Sequence, residues 1–307
     1  MCGRYRLSRR KQMIQEYFDT ADEVDWEPRY NVAPSQPVGI VWQDRTKPER
    51  HFSLARWGLI PYWAKDASIG YKLINARSET VASKPAFREA FKSRRCLIPA
   101  DGFYEWKRAE RVKQPFHFGM SDDSLFAFAG VWDRWKDATG QVVESCSILT
   151  TTPNALLSDV HDRMPVILNP ENYDSWLGPG LTHVDAVTEL LTPFDATLMK
   201  RFAVSNRINF VKNDDPDCVA PLREEKSLFV NWVMTRKSRY DIPKPTWTCP
   251  HCGFVHTHPP TCYVWTPSDF NASVVLSRSP ADQQARINRP TEAGNFRHGA
   301  FSSRQVA

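Results

Sequence analysis

The sequence predicts an α+β fold in which a curved, barrel-like, mostly antiparallel β-sheet is flanked by helices and followed by a C-terminal extension. Three observations support this prediction. Short β-branched or aromatic segments, bounded by Gly, Pro, Asp or Asn, recur through the first 240 residues. Apolar residues at helical spacing occur in only a few places, and sustained hydrophobic periodicity ends beyond residue 240. A chain of 307 residues can bury a full core without disulfide or metal support.

The first predicted element is a helix with Ser8 as its N-cap and an apolar face formed by Met13, Ile14, Tyr17 and Phe18. The predicted strands follow at 38–42, 52–57, 96–99, 103–106, 116–118, 125–132 and 145–151. Further helical patterns lie at 154–159 and 184–192. We therefore expect a catalytic domain over 2–240, an appendage over 241–265 and a mobile polar tail over 266–307.

Composition limits the class of protein. The net charge of +5 is too small to indicate nucleic-acid binding by bulk electrostatics, so any basic patch must be local. No apolar run approaches the roughly 18 residues that span a bilayer, and the amino terminus lacks the apolar core of a signal peptide. Seven cysteines, an odd number, do not form a secreted disulfide framework. We expect a cytoplasmic monomer, associated with the nucleoid if the source is bacterial, without a membrane partner.

The amino terminus carries the first candidate site. Met1 is followed by the small residue Cys2, and a chain that loses Met1 begins with an α-amine beside a thiol. Their reference pKa values, about 8 and about 8.5, leave usable fractions of both nucleophiles at neutral pH. Such a 1,2-aminothiol can form an imine with an aldehyde and close through sulfur to a thiazolidine, or its thiol can attack an acyl carbon. The plain alternative is that Cys2 has no chemical role.

Three internal polar residues are candidates for proton transfer and substrate positioning. Glu105 lies between Tyr104 and Trp106 on a predicted strand, where desolvation would raise a carboxyl pKa toward neutrality. His161 titrates with a reference pKa of about 6.5, and its alternative role is to cap a turn. Asn75 can donate to an oxyanion or hold a sugar hydroxyl. Each of these residues could equally be an ordinary surface polar group.

The C-terminal extension contains a candidate metal site. Cys249 and Cys252 form a Cys-x2-Cys-Gly pattern, in which the turn directs two thiolates toward one ion. Cys262 with His256 or His258 would complete a tetrahedral zinc set, although the spacing matches no diagnostic motif. The alternative is a proline-rich linker with unused thiols. We expect structural zinc from four of these five residues and no cofactor for catalysis.

Seven segments occur in an order that characterises one family. They read MCGRY, YNVAPSQ, ARWGLIPYWAKD, INARSET, RRCLIPADGFYEW, ILTTTPN and VHDRMPVIL, within about residues 2–235. In order and character they resemble the SRAP family, the SOS response-associated peptidases also called abasic site processing proteins. Any one segment is a weak signal, whereas seven in order make chance agreement implausible.

The resemblance implies a function in the DNA damage response. Family members form a covalent crosslink to abasic sites in single-stranded DNA, through the amino-terminal cysteine that Met1 removal exposes. By motif, Glu105 resembles the acid/base residue, His161 the histidine that assists proton transfer, and Asn75 the residue that positions the opened sugar. Cys2 resembles the nucleophile. The residues expected to contact DNA are Arg4, Asn31, Pro34, Arg56, Trp57, Arg77 and Arg163, of which Arg77 and Arg163 resemble phosphate-gripping arginines.

Three functions therefore compete. The first is an abasic-site crosslinking enzyme with lyase-like and autopeptidase-like chemistry. The second is a non-covalent binder of single-stranded DNA or junctions, in which Cys2 is incidental. The third is an amino-terminal thiol peptidase, and no segment of the sequence supplies a peptide-specificity pocket for it. DNA is the expected partner, and no protein partner is indicated.

Overall fold

The computed structural model describes residues 2–44, 46–47, 49–108, 113–178, 184–222, 247–248 and 255–256. The chain divides into two units, Met1–Ser227 and Leu228–Ala307. The strands of the first unit are β1 (Tyr5–Leu7), β2 (Arg29–Val32), β3 (Pro37–Gln43), β4 (Arg50–Trp57), β5 (Asn75–Arg77), β6 (Arg95–Ala100), β7 (Gly102–Arg108), β8 (Lys113–Met120), β9 (Phe126–Lys136), β10 (Val142–Thr151), β11 (Met164–Pro165), β12 (Ile167–Leu168) and β13 (Met199–Ala203). Its α-helices are α1 (Lys11–Phe18), α2 (Arg88–Ser93), α3 (Tyr173–Leu177) and α4 (Val184–Thr188). Short 3₁₀ helices span Ala67–Lys72, Pro170–Asn172, Ala196–Leu198, Asn206–Asn209 and Pro216–Val219.

Five strands close into a barrel. β3 pairs antiparallel with β4 and β6, β6 pairs with β9, and β9 pairs with β10. The parallel pairing of β10 with β4 completes the ring. β5 pairs in parallel with β10. β11 pairs antiparallel with β10, and β12 pairs antiparallel with β9. The predicted curved, mostly antiparallel sheet is therefore confirmed, and every predicted strand is present.

A second antiparallel sheet carries the amino terminus. Its strand order is β13, β8, β7, β1, β2. Tyr5 of β1 lies opposite Phe103 of β7 on one side and Val32 of β2 on the other. This pairing places the residues just before β1 next to β7, the strand that also carries Glu105.

Aromatic side chains from both sheets share one core. The ring of Tyr5 packs edge-on to Trp57 at 5.4 Å and to Phe128 at 5.8 Å between centroids. All three side chains are fully buried, and burying a large apolar side chain contributes about 2 kcal/mol. Because Tyr5 is anchored in this way, the first residues of the chain are held against the barrel.

The first helix begins later than predicted. Arg10 is its N-cap and makes no side-chain cap hydrogen bond. The predicted cap, Ser8, instead donates its hydroxyl to the buried carboxylate of Asp101 at 2.5 Å. A buried carboxylate needs several donors, and Asp101 also accepts the Ser8 backbone N–H. Ser8 therefore does not cap the helix, because its hydroxyl and its backbone N–H both bond to the buried carboxylate of Asp101.

The other helical predictions are partly correct. In α1, Ile14 and Phe18 are buried, whereas Met13 and Tyr17 of the predicted apolar face are 46% and 38% exposed. The pattern at 154–159 forms hydrogen-bonded turns and no helix, although Oδ1 of Asn154 accepts the N–H groups of Leu156 and Leu157 as an N-cap would. The pattern at 184–192 is helical only over α4 and continues as a turn.

The second unit is described at four residues. β14 (Trp247–Thr248) pairs antiparallel with β15 (Val255–His256), so that Trp247 lies opposite His256. The predicted boundaries at 240/241 and 265/266 lie outside the described residues. Within the part of the chain that the structure describes, no helix is long and apolar enough to cross a membrane.

Candidate active site

Cys2 lies just before β1 and is fully buried. Its Sγ is 3.8 Å from the carbonyl oxygen of Arg4, and its own carbonyl oxygen accepts a hydrogen bond of 2.9 Å from Nδ2 of Asn75. Burial, and then the negative charge of Glu105, raises the pKa of the Cys2 thiol well above its ordinary value. The structure therefore holds a protonated thiol, and a reaction at sulfur requires a nearby base.

Glu105 supplies a carboxyl group with an unusual pKa. It lies on β7 opposite Phe116 of β8 and is 3% exposed. Burial raises the pKa of Glu105 to about 7, against the opposing effect of the charge and hydrogen bond of the chain's amino terminus. The charge of Glu105 also raises the pKa of the Cys2 thiol, so this carboxyl lies close to Cys2. Both of its protonation states are populated near neutral pH, which suits it to donate and to accept a proton.

Asn75 reaches the same place from the barrel. β5 pairs with β10 in parallel, with Asn75 opposite Ile148. While Nδ2 of Asn75 is bonded to Cys2, its Oδ1 is buried and has no hydrogen-bond partner among the described residues. A buried acceptor without a partner costs about 1–3 kcal/mol. This oxygen is therefore available to a donor on a bound substrate.

His161 shares a cleft with Glu105. The cleft has a volume of about 390 Å³ and is lined by Glu105, Trp106, Lys113, His161 and Asn209. Nδ1 of His161 lies 3.0 Å from the backbone N of Arg163 and 2.9 Å from the carboxylate of Asp162. A neutral ring can accept from the Arg163 N–H and carry its proton on Nε2, whereas a protonated ring can donate to Asp162. His161 thus has a partner in either state, as a proton carrier requires.

Arg4 and Asn31 hold the loop at residues 208–213 by hydrogen bonds to its backbone. Nη1 of Arg4 donates to Oδ1 of Asn31 at 2.9 Å and to the carbonyl oxygen of Ile208 at 2.8 Å. Nδ2 of Asn31 donates to three carbonyl oxygens, those of Ile208, Phe210 and Asn213. Asn31 is fully buried, so its side chain supports the loop in this structure, and its DNA contact stays a prediction. Arg4 is partly exposed, and burial lowers its pKa.

Trp57 belongs to the core. Its ring is fully buried, and its Nε1 donates to a backbone carbonyl at 2.9 Å. A base cannot stack on a ring while it is enclosed, so the role of Trp57 as a DNA platform has no support from its burial and stays a prediction. Pro34 is partly exposed, and Arg56 places its guanidinium over the ring of Tyr71, 5.1 Å from the centroid. Pro34 and Arg56 therefore keep surface that a DNA strand could contact.

Arg77 and Arg163 converge beside the end of β10. Arg77 is exposed and lies opposite Thr150 in the β5–β10 ladder. Arg163 donates from Nη2 to the carbonyl oxygen of the same Thr150. Its Nη1 and Nη2 also donate to the two carboxylate oxygens of Glu79, at 2.5 and 3.0 Å. The structure thus brings the two predicted phosphate-binding arginines together, with a carboxylate already bound to one of them.

Exposed aromatic side chains form a surface that the sequence interpretation missed. Tyr62, Trp63 and Tyr71 lie between β4 and β5 and are 57%, 48% and 63% exposed. Flat aromatic rings on a surface suit stacking with nucleobases. The available signal was the aromatic pair after Pro61 followed by charged residues, but apolar residues in a motif are assigned to the core by default. Trp106 was also missed, and its Nε1 donates to Asn209 at 2.7 Å.

Four of the five predicted zinc ligands lie outside the described residues. Cys249, Cys252, His258 and Cys262 are outside the described residues, and His256 is described only by its backbone pairing in β15. Among the described side chains, no group of three or more His, Cys, Asp or Glu could hold a metal ion. Zinc binding therefore stays a prediction.

Comparisons with known proteins agree on one family. Residues 1–211 match the family model described as SOS response associated peptidase (SRAP). The chain is 45% identical over 223 residues to abasic site processing protein YoqW of Bacillus subtilis (strain 168), covering 71% of this chain and 99% of YoqW. It is 30% identical over 263 residues to abasic site processing protein HMCES of Mus musculus, covering 70% of this chain and 74% of HMCES. A crystal structure of a protein from Bacteroides thetaiotaomicron superposes with a TM-score of 0.66 at 29% identity, over 72% of this chain and 99% of that chain.

Proposed function

The chain belongs to the SOS response associated peptidase (SRAP) family, and from that membership we propose that it processes abasic sites in DNA through a covalent bond to its own amino terminus. One observation carries the proposal: Cys2, Asn75 and Glu105 meet at the start of the chain. Asn75 is hydrogen-bonded to Cys2, and Glu105 has a pKa of about 7 beside the amino terminus. The names of the curated relatives, abasic site processing proteins, support the choice of substrate.

The first chemical step is imine formation. Once Met1 is removed, the α-amine of Cys2 adds to C1′ of the ring-opened abasic sugar, which forms a C–N bond and converts the aldehyde oxygen to a hydroxyl. Protonated Glu105 then gives its proton to that hydroxyl, which leaves as water and generates an iminium ion. His161, in the same cleft as Glu105, is the second proton carrier. Asn75 supplies a fixed amide that can hold the opened sugar.

The second step closes the ring through sulfur. The thiol of Cys2 attacks the iminium carbon and forms a C–S bond, while the Glu105 carboxylate produced in the first step accepts the thiol proton. This transfer addresses the raised pKa of the Cys2 thiol, which otherwise would leave sulfur a weak nucleophile. The net reaction joins aldehyde and aminothiol as a thiazolidine, releases one water and returns Glu105 to its protonated form.

We propose single-stranded DNA as the substrate form, because exposed arginines and exposed aromatic rings occur together on the described surface. Arg77 and the partly exposed Arg4 and Arg56 provide local positive charge in a chain whose net charge is only +5. The exposed rings of Tyr62 and Trp63 provide stacking faces for unpaired bases. Affinity from such local charge should fall as salt concentration rises.

The proposal is tested with a matched pair of oligonucleotides. Protein whose intact mass shows that Met1 is absent is incubated with single-stranded DNA carrying one uracil, before or after a glycosylase converts that uracil to an abasic site. We expect a denaturant-stable adduct only with the abasic strand, with a mass equal to protein plus DNA minus one water. Equal retention of both strands without an adduct would favour the non-covalent binder. Peptide hydrolysis independent of DNA would favour the thiol peptidase, and a retained Met1 would contradict the mechanism.

We also propose structural zinc in the C-terminal extension. Its support is the Cys-x2-Cys-Gly pattern of Cys249 and Cys252, which lies between the two paired strands β14 and β15. Metal analysis of full-length protein purified without chelator should give about one zinc per chain, as one tetrahedral site requires. Cys249→Ser with Cys252→Ser should lose that zinc, while Cys218→Ser, in the first unit, should keep it. A zinc content far below one per chain in the wild type would refute this proposal.

A further inference from the structure

A carboxylate is bound to one of the two arginines expected to hold DNA phosphates and feels the charge of the other. Glu79 accepts hydrogen bonds from Nη1 and Nη2 of Arg163, and the charge of Arg77 also acts on it. The hydrogen bond from Arg163 is the largest cause that lowers the pKa of Glu79, so the carboxylate is ionised at neutral pH. Any phosphate that approaches Arg163 therefore meets a negative charge already bound there.

Arg163 is the fixed member of this pair. Its side chain is only 11% exposed, whereas that of Glu79 is 48% exposed. Nη2 of Arg163 also donates to the carbonyl oxygen of Thr150, which belongs to the barrel. The carboxylate is already about half exposed and can turn into water once another anion takes its place, whereas the guanidinium is enclosed and stays bonded to Thr150. A competing anion would thus displace Glu79 and leave Arg163 in place.

The guanidinium of Arg163 also has unused donor capacity. Its Nε is buried and has no hydrogen-bond partner among the described residues. By contrast, Arg95 is saturated, since its Nε, Nη1 and Nη2 all donate to backbone carbonyl oxygens. Arg95 has the pattern of a structural arginine. Arg163 has the pattern of a binding residue held by a removable counter-ion.

We propose that Glu79 is a displaceable counter-ion that weakens non-covalent DNA binding: its carboxylate accepts the hydrogen bonds of Arg163 in the free protein, and a DNA phosphate replaces it as their acceptor in the complex. This inference rests on the proposed function, because its ligand is a DNA phosphodiester. The displacement lowers the affinity for every DNA strand. An abasic strand can recover the loss through covalent capture, whereas an intact strand cannot. Glu79 therefore shortens the time that the protein stays on an intact strand, while a covalently captured abasic strand remains bound.

A purely structural role for Glu79 gives the opposite expectation. Arg163 donates its backbone N–H to His161, so Glu79 could serve only to hold the loop that contains His161. Loss of the carboxylate would then weaken DNA binding and slow adduct formation. The direction of the change in affinity for intact DNA separates the two roles.

The test measures binding of intact single-stranded DNA by full-length variants. Glu79→Gln is expected to bind intact DNA roughly fivefold more tightly at low salt. This fold-change corresponds to the free energy of one partly exposed ion pair, which the variant no longer has to break. The slope of log affinity against log salt should steepen by about 0.7, because the variant has no displaced carboxylate that takes up a cation when the phosphate binds. Glu79→Ala should change affinity in the same direction and serves if Glu79→Gln fails to fold in a thermal melt. Glu79→Asp keeps the charge and should stay near wild type.

Glu144→Gln is the matched control. Glu144 also pairs with an arginine, Arg134, at 2.8 Å, on the β9–β10 hairpin and outside the described site. It should leave the affinity for intact DNA unchanged. If wild type forms the adduct but Glu79→Gln and Glu79→Ala bind intact DNA no more tightly than wild type, this inference is overturned and the proposed function stands. If wild type forms no adduct with abasic DNA, the proposed function fails, while the binding comparison with intact DNA can still be made.

Discussion

Cys2→Ala is expected to abolish the denaturant-stable adduct with abasic single-stranded DNA. The variant keeps an α-amine, because alanine is also small enough for Met1 to be removed, but it has no sulfur to close the thiazolidine. Only a reversible imine can then form. We expect this imine to be visible on a denaturing gel after treatment with a borohydride reductant and to be absent without it. The wild type should give a stable adduct in both conditions.

The outcome of Cys2→Ala depends on a folded variant. Cys2 is fully buried, and removal of its sulfur should cost about 1 kcal/mol of stability, as for other small losses of buried volume. A thermal melt measures that cost. Cys218→Ala, another buried cysteine, is the matched control and should form the stable adduct like wild type. A stable adduct of undiminished yield in Cys2→Ala would show that sulfur does not take part.

Two of the proposed catalytic residues were accessible to sequence interpretation because their signals are local. Cys2 follows the initiator, and Glu105 lies between two aromatic residues, a setting that itself predicts a raised pKa. The structure shows that pKa raised to about 7. Asn75 could be assigned only through the family resemblance, since its contact is with the carbonyl oxygen of Cys2, 73 residues away.

Burial separates the residues expected to contact DNA. Asn31 and Trp57 stand in the same kinds of motif as the other candidates, but the tertiary structure encloses both. Asn31 is enclosed by a loop that begins near Ser205, far along the chain. Glu79 was quoted in a motif and given no role, because its partner Arg163 is 84 residues away. Sequence motifs identify residue types for chemistry, but they do not show which side chains face the solvent.

The same distinction applies to the fold. The predicted strands are long or strongly apolar, so each carries its own pattern. β1 and β5 have three residues each, too few to show a period of two. The parallel pairing of β10 with β4, which closes the barrel, joins Ser145 to Arg56 and leaves no local signal. β1 follows Cys2 and β5 contains Asn75, so the sequence could predict the candidate residues but not how they meet.

Glu105→Gln is expected to slow adduct formation by about a hundredfold or more, within the range for loss of a general acid. In the wild type, the rate should rise with pH as the α-amine loses its proton, with a reference pKa of about 8. It should fall at higher pH because Glu105, with a pKa of about 7, is then ionised. The product of the two fractions gives a bell-shaped profile with a maximum at about pH 7.5. In Glu105→Gln the falling limb should disappear, and Glu144→Gln should keep the wild-type profile.

The same pKa predicts an effect on stability that separates chemistry from folding. Burial raises the pKa of Glu105 from 4.5 to about 7, so between these values the folded state binds more protons than the unfolded state. The free energy of unfolding should therefore fall as pH rises from about 4.5 to 7, by up to about 3 kcal/mol. Glutamine does not ionise, so Glu105→Gln should lack this fall and unfold at a higher temperature than wild type at pH 8. A variant that is slow in adduct formation yet more stable at pH 8 identifies Glu105 as the proton donor. A variant that is slow and less stable at pH 8 would instead point to a structural defect.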